Sequence, residues 1–82
     1  MRELAESQKK DIKEVIADKL GMDIDKIGDE STLRSDLCAD SLDVMELIVD
    51  MEKMFDISIP DDEWGDDLTV VGLFNIVEQR IN

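Results

Sequence analysis

The 82-residue chain contains no histidine, one cysteine and one proline, and only 9 Lys or Arg residues against 22 Asp or Glu. Without histidine it lacks the side chain that titrates near neutral pH, the commonest general base and metal ligand. It also carries no glycine-rich phosphate loop and no His/Cys cluster at metal-ligand spacing. Catalysis by the chain itself is therefore poorly supported. The lone Cys38 permits no intramolecular disulfide, and the stretch around Arg2, Glu3 and Glu6 offers no apolar core of the kind a signal peptide needs. No apolar run approaches the ~20 residues that span a bilayer. These absences predict a cytoplasmic protein with no membrane insertion and no metal site.

The shortage of bases gives a net charge of −13, unevenly spread: residues 42–82 hold 11 acids and 2 bases, a net −9. Such a field repels nucleic acid and speeds encounter with basic protein surfaces. The length suits one domain, residues 1–82, too small to enclose a large active site. No internal repeat or low-complexity tract divides it.

Ile12, Val15, Ile16 and Leu20 form an amphipathic stripe, and Gly21 supplies a stop, so a first helix is predicted over residues 4–20. Residues 22–39 read as a long connection pinned to the core by Ile24, Ile27, Leu33 and Leu37. Asp40 is a good N-cap with Asp43 at the capping-box position, which predicts a second helix to about Phe55. Val44, Leu47, Ile48, Met51 and Phe55 make its core face. Leu42, Met45 and Val49 make a second apolar stripe pointing elsewhere, bordered by Glu46 and Glu52. Pro60 at a first helical position with Asp61, Asp62 and Glu63 after it predicts a short helix, and Thr69 caps a last one to about Arg80. In that last helix Val71, Phe74, Val77 and Ile81 fit one stripe, with Val70, Leu73 and Ile76 left over. The expected fold is all-α: a small four-helix bundle, three main helices plus one short helix, with a long loop between helices 1 and 2.

Three stretches carry a family resemblance: L-x-A-D-S-L-D-x-x-E-L at residues 37–47, F-D-I-x-I-P-D at 55–61 and T-V-V-G at 69–72. In this order, after an amphipathic helix and a long loop, they make the chain resemble the acyl carrier proteins. The resemblance implies that Ser41 carries a covalent 4′-phosphopantetheine arm derived from coenzyme A, with Asp40 supporting it, and that the carrier catalyses nothing. It further implies a free-standing monomer that holds acyl groups as thioesters for fatty-acid, polyketide or lipid biosynthesis. Its partners would be a phosphopantetheinyl transferase and acyl-transfer and synthase enzymes with basic docking surfaces. Leu42, Asp43, Met45, Glu46, Val49 and Glu52 match the family's partner-docking helix, and the second stripe falls among them. Family bundles fold around acyl chains, for which Met45, Met51 and Met54 offer adaptable side chains.

The pattern departs from the family at Lys53, Trp64, Leu73 and Ile76, where acidic or small residues are commoner, and at Cys38. These favour, as the alternative, a specialised carrier for an amino-acyl or other non-fatty-acid pathway. Cys38 stands where the family commonly has glycine and is expected to be a small buried residue. The remaining rival is an acidic interaction or calcium-binding domain. Asp23, Asp25 and Gly28 fit positions 1, 3 and 6 of an EF-hand loop, but position 5 is Ile27 and position 12 is Arg34.

Overall fold

The computed structural model describes residues 3–81. Three α-helices, α1 (Glu6–Leu20), α2 (Ser41–Phe55) and α3 (Val70–Arg80), enclose one core. Helix α1 starts two residues later than predicted: Ala5 is its N-cap, and the Gln8 side chain accepts from the Ala5 N–H at 2.8 Å. Gly21 ends it in the left-handed conformation, φ 65°, as the sequence indicated. At the end of α2 it is Asp56 that turns left-handed, φ 54°.

The predicted short helix is a single 3-10 turn, Asp61–Glu63, and Pro60 precedes it as the cap. Three acids in one turn supply no apolar face to pack, so nothing extends the turn into a helix. A second 3-10 turn, Ile24–Lys26, lies in the long loop. The expectation of three main helices is met; a fourth α-helix is not present among the described residues.

The α2 face read from the sequence is the buried one: Val44, Leu47, Ile48 and Met51 are in the core, with Phe55 half-buried at its end. In α1, Ile12 and Ile16 are fully enclosed while Val15 and Leu20 flank them. The ambiguity in α3 resolves against the longer stripe. Val70, Leu73, Phe74, Ile76 and Val77 are buried and Val71 is exposed. Leu73 and Ile76 are thus packing residues and present nothing to a partner.

The loop is pinned by Ile27, Leu33 and Leu37, all buried, and Ile24, half-buried. It is also hydrogen-bonded to the start of α3. Val70 N–H donates to Ser31 O at 3.0 Å, Val71 N–H to Asp29 O at 2.7 Å, and Leu33 N–H to Leu68 O at 3.0 Å. The first N–H groups of any helix lack intrahelical acceptors. Here loop carbonyls supply two of them, and the Thr69 hydroxyl accepts from Gly72 N–H at 3.0 Å to supply a third.

Salt should stabilise this fold. Among the described residues five ion pairs oppose the effect, each with partly exposed partners, and such pairs contribute at most about 1 kcal/mol apiece. Against them stands the mutual repulsion of a net −13 within a radius of gyration of 11.5 Å. At ~0.01 M ionic strength the screening length of about 30 Å lets every charge act on every other, whereas at ~0.1 M it falls to about 10 Å. The melting temperature at pH 7 should therefore rise over that range; a fall would mean that the ion pairs outweigh the repulsion.

Candidate functional site

The chain turns sharply before α2. Leu37 and Ala39 are both buried, and Cys38 between them adopts φ 61° with its side chain exposed. This corrects the expectation of a buried cysteine. A left-handed residue between two core anchors points away from the core that they enter. Glycine occupies such a position without the steric cost of about 1–2 kcal/mol that a Cβ brings. Replacing Cys38 with Gly removes that cost but adds about 0.4–1 kcal/mol of unfolded-chain entropy. The variant should thus be neutral to about 1.5 kcal/mol more stable in a denaturant melt. The native thiol should also react fully with a thiol reagent without denaturant; protection until unfolding would contradict its placement.

Asp40 is the N-cap of α2. Its Oδ1 accepts from Asp43 N–H at 2.8 Å, and Asp43 Oδ2 accepts in return from Asp40 N–H at 3.3 Å, a reciprocal capping box. Each carboxylate puts one of its two oxygens into holding the helix start. Ser41, the first helical residue, is exposed. Its hydroxyl stands where the Ser41 and Leu42 N–H groups have no intrahelical acceptor and the helix dipole is positive. An exposed hydroxyl at a rigid 15-residue helix start can accept a phosphodiester that those N–H groups would solvate. With no histidine in the chain, the only candidate bases beside that hydroxyl are the carboxylates of Asp40 and Asp43, both already hydrogen-bonded to the helix start.

Along α2 from Ser41, the second stripe is open to solvent: Leu42 is 61% exposed, Met45 53% and Val49 43%. They line a shallow recess together with Lys19 from α1 and Lys53 further along α2. Met45 follows Val44 and so lies about 100° round the helix from the core. Met54 is also exposed, leaving only Met51 of the three methionines in the interior. The expectation that all three line an internal cavity is not met.

The acids around the stripe differ in what they do. Glu52 Oε2 accepts from Ile59 N–H at 2.8 Å and holds the extended segment after α2 against that helix. Glu46 and Asp50 instead face Lys19, whose Nζ is 3.5 Å from Glu46 Oε1 and 3.0 Å from Asp50 Oδ2. The hydrogen bond to Asp50 chiefly raises the Lys19 pKa above its ordinary value; partial burial opposes this, and attraction to Asp50 and Glu46 adds to it. A raised lysine pKa stabilises the fold below the unfolded value of about 10.4 and loses that contribution as pH rises through the folded one. The pairing therefore persists across the neutral range.

The structure thus brings Asp40, Ser41, Leu42, Met45, Glu46 and Val49 onto one exposed surface with Asp43 half-buried beside it, while Glu52 acts as a tether. Lys19 went unread because the stripe beside it gave no sign of which α2 acids α1 would face. Trp64 packs at the margin of the core, directly after the Asp61–Glu63 turn. No helix among the described residues is long and apolar enough to cross a membrane, and no group of three or more potential metal ligands occurs there.

Comparison with known proteins adds to this geometry. A family model described as a phosphopantetheine attachment site matches residues 10–73. The chain is 45% identical over 62 residues to an acyl carrier protein of Exiguobacterium sp., covering 76% of this chain and 77% of the relative. It is 46% identical over 70 residues to an acyl carrier protein of Picosynechococcus sp., covering 84% and 85% respectively.

Proposed function

We propose, from the premise that this chain belongs to the acyl carrier protein family with its covalently attached 4′-phosphopantetheine, that Ser41 bears the group and that the exposed face of α2 presents it to partners. The observation that carries the reading is the exposed Ser41 hydroxyl at a doubly capped helix start, beside a solvent-facing apolar stripe.

In the loading step, Ser41 Oγ attacks the pyrophosphate of coenzyme A. A new oxygen–phosphorus bond forms, the bond within the pyrophosphate breaks, and adenosine 3′,5′-bisphosphate leaves. The hydroxyl proton passes to a base of the transferase. When bound, the prosthetic group supplies a terminal thiol on which acyl groups are held as thioesters. What the chain's own residues contribute is placement. Asp40 and Asp43 lock the first turn, so Ser41 points outward in one fixed direction, and Leu37 and Ala39 anchor the approach to it. The N–H groups of Ser41 and Leu42 offset the phosphodiester charge. The carrier itself performs no catalysis.

Leu42, Met45 and Val49 offer a partner an apolar contact, with Asp43 and Glu46 at its margin for basic residues on the other side. The net −9 of residues 42–82 commits the occupant of this face to a positively charged protein surface. The partners are a phosphopantetheinyl transferase, then acyl-transfer and synthase enzymes of fatty-acid or related biosynthesis, met by a single-domain monomer in the cytoplasm. Incubation with coenzyme A and a broad-specificity transferase, followed by intact-mass measurement, tests the reading. One covalent phosphopantetheine per chain is expected; no gain in mass from a folded sample refutes it.

A further inference from the structure

The α2 acids that face a partner are not equally available. Lys19 reaches across from α1 and places its ammonium against both Glu46 and Asp50, one turn apart on the same rim of the apolar stripe. Its side chain is 23% exposed, less than either acid, and it forms a wall of the recess that Leu42, Met45 and Val49 also line. We propose that Lys19 is an intramolecular competitor of the partner's basic residues: it occupies Glu46 and Asp50 in the free protein and must be displaced when a partner docks, which sets how fast and how selectively basic surfaces are accepted. This rests on the reading of the α2 face as the docking surface.

The physical case follows from exchange. A basic residue arriving at Glu46 or Asp50 does not meet a free carboxylate. It trades one ammonium contact for another, so the gain on docking is the difference between two ion pairs and not the value of one. Before contact, Lys19 also reduces the local charge of the three-residue group from −2 to −1, weakening the field that draws a partner in. A partner with a rigid guanidinium, which binds a carboxylate through two parallel hydrogen bonds, displaces a lysine more readily than another lysine does. Lys19 thus favours partners whose docking residue here is arginine.

The test is the association rate of the unmodified chain with a phosphopantetheinyl transferase at low ionic strength, with circular dichroism to verify each fold. Lys19→Gln should associate roughly two- to fivefold faster than the parent. Lys10→Gln is the control: it changes net charge equally from an exposed position on α1, nine residues and about 13 Å along the helix. It should gain less. Lys19→Arg should restore the parental rate or slow it further. In a Glu46→Gln, Asp50→Asn background the Lys19→Gln gain should fall to that of Lys10→Gln, the effect of net charge alone. A purely structural Lys19 would give a variant that is slower or unchanged, the opposite sign. Equal gains from Lys19→Gln and Lys10→Gln in the parent, or an excess of the Lys19→Gln gain over the Lys10→Gln gain that survives in the double-amide background, would overturn the proposal while leaving the docking face intact. Glu46→Lys separates the two claims: it should slow association, and an unchanged rate with folded protein would overturn the docking face and the role of Lys19 with it.

Discussion

Ser41→Ala should abolish covalent modification by coenzyme A and a phosphopantetheinyl transferase while leaving the fold nearly untouched. The two effects separate because Ser41 occupies the first helical position and not the cap. Asp40 accepts from Asp43 N–H with or without the serine hydroxyl, and alanine is at least as good a helix former. Stability should change by about 0.5 kcal/mol or less, as for an ordinary surface substitution. The mass gain should fall from one group per chain to none. Cys38 calls for one precaution, since an exposed thiol three residues away can exchange with the oxidised, disulfide form of coenzyme A, forming a mixed disulfide and releasing one coenzyme A thiol. A reductant removes such an adduct and leaves a phosphodiester intact. Reductant-resistant modification of Ser41→Ala, at Ser31, Ser35 or any other hydroxyl, would refute the assignment of Ser41.

Leu47→Ala should destabilise the protein by about 2–5 kcal/mol, the range for removing a fully enclosed leucine side chain. For a small domain with a total stability of about 5–15 kcal/mol, that is a large fraction. Leu47 has no exposed surface and sits in the middle of the α2 face that meets the core, so neighbouring side chains would have to collapse into the space it leaves. Val49, two residues on, is 43% exposed, and Val49→Ala should cost about 0.5 kcal/mol or less. Urea denaturation of the pair measures the contrast directly. Similar losses for both would mean that the second stripe is packed against the protein itself. The binding consequence runs the other way: Val49→Asp should raise the dissociation rate of partner complexes by placing an unpaired charge in an apolar contact, with little effect on the fold.

Much of this protein is local in origin and so legible in its sequence. The capping box at Asp40 and Asp43, the left-handed stop at Gly21, the core face of α2 and the separate Leu42, Met45, Val49 stripe all follow from residues within a few turns of one another. The position of Ser41 at a helix start follows in the same way, and the motif around it carries the family. What sequence left open is what depends on contacts between distant segments. The last helix has more apolar residues than one stripe can hold, and only its packing shows that Leu73 and Ile76 go inward while Val71 stays out. Cys38 reads as a small buried residue by type, yet burial of both its neighbours forces it outward with a left-handed backbone. The short helix after Pro60 has the right cap and charges but no apolar face, so it stays a single turn. Glu52 is tied to Ile59, and Lys19 is set against Glu46 and Asp50. A charge pattern read along the chain shows that acids are present; only the approach of α1 to α2 decides which of them already have a cation.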